Sequence, residues 1–314
     1  MASNVVPRSR RRRRQRRPSA GADDPGPATQ PGIGRRLLHA GSGMSVRLLT
    51  CFLVLIYFHE GYSWGYRSHA GPGVIDAALP IDAWIPMIPE FIVFYMLGYL
   101  FVLVPCVMVR DRHAFYAASV AFCVLLTVAF LIFRLAPVHM DKSYAVGSDW
   151  FSRLARFQQT KDTPYNNFPS LHVALNVYAY ALIVWQSRRI SAWWLPLPVL
   201  IICSTLLVKQ HLFIDVIGGL LTAWAGFALF LRLEAASGHT AFRLWLLVQG
   251  LMIAVVATHL ERLGKTVANV ERFLAAGGVS LGEAGTALLL FILVSVGIRA
   301  LSGRVGGRSP PATE

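Results

Sequence analysis

Charged residues are scarce in this chain of 314 residues, since Asp, Glu, Lys and Arg make up 15% of it and hydrophobic residues 55%. A soluble globular domain carries about 25% charged residues. The deficit lies in runs of roughly 17 to 25 nearly uncharged residues, the length that crosses the hydrocarbon core of a bilayer as a helix. The composition excludes an ordinary soluble domain and predicts an all-α, polytopic membrane protein.

Cysteine is also scarce, and the four cysteines all lie in or beside apolar runs: Cys51, Cys106, Cys123 and Cys203. None is paired in a C-x-x-C spacing, and no His, Cys and Asp residues have the spacing of a zinc site. We interpret the cysteines as small buried hydrophobic residues rather than as disulfide partners or metal ligands. The sequence predicts no metal site and no cofactor.

Acidic residues are few, 16 against 30 basic ones, which gives a formal net charge of +14. Ten arginines and two aspartates lie in residues 1–36, so this segment carries +8 of that charge. The arginine block is followed by a stretch that is rich in Pro, Gly and Ala and has no apolar periodicity. We therefore expect residues 1–43 to be a disordered basic tail. Such a tail favours a cytoplasmic anchor that contacts anionic headgroups over a nucleic-acid-binding segment.

Eight apolar runs are candidates for membrane-spanning helices. They cover residues 44–60, 86–109, 114–136, 168–186, 193–209, 212–232, 241–260 and 282–301. The first six lie within residues 44–232 and the last two within residues 233–303. Residues 304–314 are rich in Gly and Pro, and we expect them to form a disordered tail.

The distribution of Lys and Arg predicts the orientation in the membrane. With the N-terminus in the cytoplasm, the inner segments hold 20 of the 30 basic residues. The outer loops hold eight, mostly in the long segments 137–166 and 261–280, where the rule applies least. This orientation, in what we expect to be the cell (inner) membrane, puts residues 168–172 and 209–215 at the extracytoplasmic face.

A His-Asp motif, Lys-Gln-His-Leu-Phe-Ile-Asp at residues 209–215, lies where an apolar run meets a loop. His211 and Asp215 are four residues apart, so on a helix they share one face. A carboxylate beside an imidazole N–H orients the ring and leaves the other nitrogen free to attack phosphorus. The alternative is a structural pair that joins two helices, and the spacing alone does not decide between them.

A Pro-Ser motif, Phe-Pro-Ser-Leu-His, occupies residues 168–172. Pro169 suits the first turn of a helix, and one of the two asparagines at residues 166–167 is expected to cap it. The free N–H groups of such a helix start form an anion site, to which Ser170 adds a hydroxyl donor. His172 can then protonate a leaving oxygen and later deprotonate water or an alcohol. The alternative is an ordinary helix cap with a buried histidine.

Together the two motifs resemble those of the type 2 phosphatidic acid phosphatase superfamily, which pairs Pro-Ser-x-His with a later His-x3-Asp across a six-helix membrane core. Their form most resembles the branch that contains inositol phosphorylceramide synthases. The resemblance covers residues 44–232. It implies a six-helix catalytic domain in which His211 is the nucleophile, Asp215 orients it and His172 is the general acid and base.

The wider family also has a Lys-x6-Arg-Pro motif that binds phosphate oxygens, and residues 133–142 hold no such motif. Phosphoryl transfer needs cations, because its transition state spreads negative charge over three oxygens. Lys142, Arg134 and His139 are candidates for that role, and Lys142 is preferred.

The family's His-x3-Asp motif usually opens with Ser-Arg, and residues 204–205 are Ser-Thr at that place. Lys209, two residues before His211, is a candidate for the missing cation. The substrate-binding residues that we expect are therefore Lys142, Ser170 and Lys209.

Three functions are compatible with this pattern. The first is a lipid phosphate phosphatase that works through a phosphohistidine, which requires no metal ion. The second is a phosphotransferase that moves a phosphoalcohol, such as inositol phosphate, onto a lipid or polyol acceptor. The third is a non-catalytic membrane scaffold, which the two missing cationic motifs would allow. The expected partners are the membrane and a lipid phosphate.

Overall fold

The computed structural model describes residues 33–66, 73–187 and 192–258, with the single positions Arg272 and Ala275. Its two strands are β1 Ile75–Asp76 and β2 Val138–His139. A short 3₁₀ helix covers Pro89–Phe91. The α-helices are α1 Ile33–Tyr66, α2 Pro80–Trp84, α3 Ile92–Phe101, α4 Val104–Met108, α5 Arg112–Leu135, α6 Trp150–Lys161, α7 Leu171–Gln186, α8 Pro196–Leu207, α9 Phe213–Ala235 and α10 Gly238–Thr258.

Four helical segments of the described chain are long and apolar enough to cross a membrane: Gly43–Gly65, Pro89–Met108, Arg112–Leu135 and Phe213–Ala235. Three further apolar helices are shorter: Leu171–Gln186, Ala192–Leu207 and His239–Val255. Seven of the eight predicted runs thus correspond to helices, and the eighth, 282–301, lies outside the described residues. The prediction of an all-α, polytopic membrane protein is confirmed.

Two predicted helices differ from the structure in their extent. α1 begins at Ile33, whereas the apolar run that predicted it begins at residue 44. The run at 86–109 is interrupted between α3 and α4. Pro105 explains the interruption, because a proline inside a helix removes one backbone N–H and its ring clashes with the preceding turn.

α6 was not predicted, because it lies within residues 137–166, which the hydropathy pattern assigned to an outer loop. Asp149 caps it, accepting a hydrogen bond from the Ser152 N–H at 3.0 Å. The hydrogen bonds from Ser152 hold the pKa of the Asp149 carboxyl below its usual value. One face of α6 is buried, and its residues recur at helical spacing: Leu154, Ala155, Gln158 and Gln159.

The core of the described chain lies between α5, α7 and α9, with α10 packed on α5. Its largest side chains are fully buried, among them Phe133 of α5, Tyr178 of α7 and Phe230 of α9. α9 approaches α5 closely at Gly226, where an added Cβ would lie 2.8 Å from a methyl carbon of Leu125. Small residues at such contacts are typical of helix packing in membranes.

The two short strands tie together the loops that lead to the motifs. β1 pairs with β2 in parallel, with Ile75 opposite Val138 and Asp76 opposite His139. Val138 also forms a parallel bridge with Asn166, two residues before the Pro-Ser motif. The loop after α5 is therefore fixed both to the segment after α1 and to the approach to α7.

The cysteines are free thiols with different surroundings. Cys123 is buried, Cys51 and Cys106 are partly buried, and Cys203 is exposed. The interpretation of all four as buried residues is therefore wrong for Cys203. Its side chain is exposed on α8. An exposed apolar side chain on a membrane helix can face lipid instead of the protein core.

Candidate active site

The Pro-Ser and His-Asp motifs are in direct contact. The backbone N–H of Ser170 donates a hydrogen bond to the carbonyl oxygen of Asp215 at 3.0 Å. Two glycines of α9 permit the approach, since a Cβ on Gly219 would lie 2.7 Å from the Ser170 carbonyl oxygen. A Cβ on Gly218 would lie 2.4 Å from the Phe168 ring. The starts of α7 and α9 are therefore held together at the backbone.

Ser170 caps α7, because its fully buried hydroxyl oxygen accepts a hydrogen bond from the Val173 N–H at 3.3 Å. The helix consequently begins at Leu171, and Pro169 precedes the cap instead of occupying the first turn. The sequence placed the cap three or four residues too early. Serine competes well for this position because its short side chain reaches back to the free N–H groups.

The two asparagines expected to cap α7 are buried and act elsewhere. The side-chain amide of Asn166 donates to the Tyr62 carbonyl oxygen at 2.9 Å. That of Asn167 donates to the Val138 carbonyl oxygen at 3.1 Å. The prediction of an asparagine cap is therefore wrong, and these residues instead fix the approach to α7 against α1 and β2.

His211 and Asp215 lie together at the start of α9. The distance between His211 Nδ1 and Asp215 Oδ2 is 3.5 Å, which is ion-pair range but longer than an ordinary N–H···O bond. Asp215 is fully buried, and its Oδ2 also accepts from the Leu212 N–H at 2.8 Å. The carboxylate is thus fixed by the backbone, beside one nitrogen of the imidazole.

His172 lies in the first turn of α7, against α3. Its ring stacks on Tyr95 with centroids 4.0 Å apart and meets the Tyr99 ring edge-on at 5.1 Å. A Cβ on Gly98 would lie only 2.3 Å from His172 Nε2, so this glycine makes room for the imidazole. Nε2 has no hydrogen-bond partner among the residues that the structure describes. The ring is therefore positioned by aromatic contacts while one nitrogen stays available.

Both histidines line one cavity with a volume of about 370 Å³. Polar side chains surround them at one end of it: Tyr62, Tyr99, Gln158, Lys161, Asp162 and Asn166. The rest of the lining is mainly apolar and includes Val54, Phe58, Val102, Val109, Phe115 and Leu182. The cavity thus has a polar end with two imidazoles and an apolar extension between α1, α3, α5 and α7.

Lys142, the cation that the sequence pattern favoured, has an almost fully buried side chain beside the catalytic candidates. Its Nζ donates to Gln210 Oε1 at 2.9 Å and pairs with Asp162 Oδ2 at 3.1 Å. Asp162 lines the cavity and also accepts a hydrogen bond from the Tyr62 hydroxyl. Lys142 therefore connects a cavity residue with the residue that precedes His211.

Two other cations lie near the motifs. Lys209 Nζ donates to the Asp82 carbonyl oxygen at 2.9 Å, and the side chain is not among those that line the cavity. Lys161, at the end of α6, does line it, and among the Lys and Arg residues in the described ranges it is the one that does so. No motif indicated Lys161, although the cap at Asp149 and the helical spacing after it could have predicted α6.

Within the residues that the structure describes, no group of three or more His, Cys, Asp and Glu side chains could hold a metal ion.

The geometry and the motif pattern agree with one comparison to known families. Residues 79–229 match the PAP2 superfamily. The PAP2 match includes both motifs and extends from just before α2 into α9, which leaves α1 and α10 outside it. It supports a phosphatase-type membrane protein and does not distinguish the inositol phosphorylceramide synthase branch. No curated protein and no solved structure matches the chain.

Proposed function

We propose that the protein is an integral-membrane enzyme that removes or transfers the phosphoryl group of a lipid phosphate through a phosphohistidine on His211. The observation that carries the proposal is the shared cavity of His172 and His211, with buried Asp215 placed 3.5 Å from Nδ1 of His211. A structural His–Asp pair would need neither a second histidine nor a cavity. The PAP2 match over both motifs supports the same chemistry.

In the proposed first step, Nε2 of His211 attacks phosphorus while the bond between phosphorus and the lipid oxygen breaks. Asp215 keeps the proton on Nδ1 and stabilises the imidazolium that forms. His172 donates a proton to the departing oxygen, so the lipid leaves as an alcohol. In the second step His172 removes a proton from water, the water oxygen bonds to phosphorus, and phosphate leaves His211.

Lys161 and Lys142 are the cations that we assign to the phosphate. Lys161 lines the cavity with both histidines. Lys142 does not itself line the cavity, but its partner Asp162 does. Its Nζ contacts two oxygens, of Gln210 and Asp162, and an ammonium has three N–H donors, so one remains for a phosphate oxygen. Ser170 and Lys209 were also expected to bind substrate. The proposal gives them supporting roles, because Ser170 caps α7 and Lys209 bonds to Asp82.

The apolar part of the cavity supports a lipid as the substrate. It follows α3 and α4 from Tyr95, beside His172, to Val109. Those 15 residues correspond to about 20 Å at the rise of an α-helix. A space of that length beside a polar end suits an apolar chain that carries a phosphate, and it offers few partners to a small water-soluble phosphomonoester.

A second candidate function is transfer to an alcohol instead of water, which the form of the Pro-Ser and His-Asp motifs favours. The same phosphohistidine site would serve both reactions, because His172 can deprotonate either acceptor. Detergent-purified protein would be given phosphatidic acid, undecaprenyl diphosphate, or phosphatidylinositol with and without a polyol acceptor. Phosphate release without an acceptor indicates hydrolysis, and a product that requires the acceptor indicates transfer.

The decisive variant is His211→Ala, with Cys203→Ala as the matched control, since Cys203 lies outside the cavity on α8. We expect His211→Ala to abolish turnover and Cys203→Ala to retain it. An acid-labile phosphoprotein should form with ³²P-labelled substrate and be absent from His211→Ala. Full turnover by His211→Ala would refute the nucleophile, and the absence of turnover in every protein would favour a scaffold.

We place the site at the extracytoplasmic face of the cell membrane because of the Lys and Arg distribution. Val146 is 92% exposed in the loop before α6 and gives a position to test this. A Val146→Cys substitution in a Cys203→Ala background should react with a membrane-impermeant thiol reagent added to intact cells. If the introduced cysteine reacts only after the cells are opened, the predicted orientation is wrong and this loop faces the cytoplasm.

A further inference from the structure

The turn between α8 and α9 carries His211 and depends on contacts from outside itself. Lys209 has a φ of 50°, in the left-handed region that residues other than glycine rarely occupy. Such a conformation persists when surrounding contacts over-determine it. Local hydrogen bonds also stabilise the turn, because the N–H groups of Gln210 and His211 both donate to the Thr205 carbonyl oxygen, at 3.0 and 3.1 Å.

From outside, Asp82 of α2 contacts this turn on both sides of His211. Its Oδ1 accepts a hydrogen bond from the Phe213 N–H at 2.7 Å. Its backbone carbonyl oxygen accepts one from Lys209 Nζ at 2.9 Å. The two contacts reach a segment about 130 residues further along the chain, so they belong to the tertiary structure and not to a local turn.

The first of these contacts also fits the electrostatics of α9. Phe213 is its first residue, and the N–H groups of a first turn have no partner within their own helix. A carboxylate is stabilised there by the helix dipole. The neighbouring Leu212 N–H donates its hydrogen bond to the Asp215 carboxylate. Two carboxylates therefore fill the start of α9, and an incoming phosphate meets the imidazole of His211 instead of these backbone groups.

We propose that Asp82 is a positioning residue that fixes His211 relative to His172 by holding both ends of the turn; this role rests on the proposed phosphoryl transfer. Asp82 is not among the residues that line the cavity, so it acts through the turn and not on the substrate. Its loss should lower kcat, because the nucleophile is misplaced, and leave KM nearly unchanged, because the lipid and phosphate contacts remain.

The test compares Asp82→Ala and Asp82→Asn with Asp76→Ala. Asp76 is the matched control, because its carboxylate makes only a local hydrogen bond that the structure shows, to the Ala78 N–H at 3.1 Å. Asp82→Ala removes the carboxylate contact with the Phe213 N–H and keeps the backbone carbonyl contact with Lys209. We expect it to lower kcat about 10- to 100-fold, as small misplacements of reacting groups do, with KM within about twofold of wild type. Asp82→Asn can keep its one amide oxygen for the Phe213 N–H and then loses the hydrogen bond that Asp82 Oδ2 accepts from the Leu79 N–H at 2.8 Å, so it should recover part of the loss. Asp76→Ala should behave as wild type.

Hydrogen–deuterium exchange gives a readout that does not depend on activity. In Asp82→Ala the peptide that covers residues 208–213 should exchange faster than in wild type, and in Asp76→Ala it should not. If exchange is faster in Asp82→Ala but the separate His211→Ala variant is fully active, Asp82 still positions the turn and the proposed function is refuted. Unchanged exchange with unchanged kcat in Asp82→Ala would overturn the positioning role, as would equal losses of kcat in Asp82→Ala and Asp82→Asn.

Discussion

Ser170 and Asp215 are joined by a backbone hydrogen bond of 3.0 Å, from the N–H of the first to the carbonyl oxygen of the second. Ser170 caps the helix that carries His172, and Asp215 lies beside His211. The two halves of the candidate active site therefore meet through main-chain atoms. Backbone contacts of this kind hold geometry more firmly than contacts between flexible side chains, and they lead to the first prediction.

Gly219→Ala should separate the two motifs. The added Cβ would lie 2.7 Å from the Ser170 carbonyl oxygen, a backbone atom that cannot swing aside. We expect turnover to fall about 100-fold and thermal stability to decrease, because displacements near 1 Å have costs of that order. Gly250→Ala is the control, since a Cβ there meets nothing within 4 Å. Wild-type turnover in Gly219→Ala would show that the contact does not position the site.

Gly98→Ala should act on His172 more selectively. Its Cβ would lie 2.3 Å from His172 Nε2, so the imidazole has to leave its stacked position on Tyr95. We expect turnover to fall about 100- to 10,000-fold, the usual range for loss of a general acid–base group. Labelled phosphoprotein should still form slowly with a substrate whose leaving group needs no proton, such as a nitrophenyl phosphate that carries an apolar chain. A normal rate with the lipid substrate would contradict the assignment of His172.

Asp215→Asn should preserve the fold and impair the chemistry. The amide oxygen can still accept from the Leu212 N–H, a bond that the carboxylate makes at 2.8 Å. A neutral amide stabilises the imidazolium of His211 less well, and we expect kcat to fall about 100-fold or more. Steady-state kinetics alongside thermal unfolding separates the two effects. A large loss of thermal stability with unchanged kcat would mark Asp215 as structural.

Lys161→Ala should weaken substrate binding. Both Lys161 and Arg153 are exposed residues of α6, but only Lys161 lines the cavity with the two histidines. We expect Lys161→Ala to raise KM about 10-fold, a cost of about 1.4 kcal/mol, and Lys161→Arg to restore most of the affinity. Arg153→Ala is the control and should leave KM unchanged. An unchanged KM in Lys161→Ala would transfer the phosphate-binding role to Lys142 alone.

Hydropathy predicted the helices well because the property that creates them is local. A run of about 20 apolar residues is stable in a bilayer only when its backbone groups bond within the run, whatever surrounds it. The helices from α5 to α10 that correspond to predicted runs lie within a few residues of the expected positions. Local signals also predicted the closeness of His211 and Asp215, which are four residues apart, although His211 precedes α9 and the two do not share a helix as the spacing predicted.

Features that depend on distant contacts were predicted poorly. Ser170 caps α7 in place of an asparagine because Asn166 and Asn167 bond to carbonyl oxygens of Tyr62 and Val138, which no local pattern indicates. Hydropathy did not predict α6, because this helix has only 12 residues and its buried face includes polar as well as apolar side chains.

The sequence by itself determined that this is a helical membrane protein and which three side chains are candidates for phosphoryl transfer, because apolar length and helical spacing act within a few turns of chain. Only the tertiary structure decided that His172 and His211 line one cavity, that Lys161 joins them, and that Asp82 holds the turn between α8 and α9. Those relationships bring together residues that lie up to about 130 positions apart, and their geometry follows from how the helices pack.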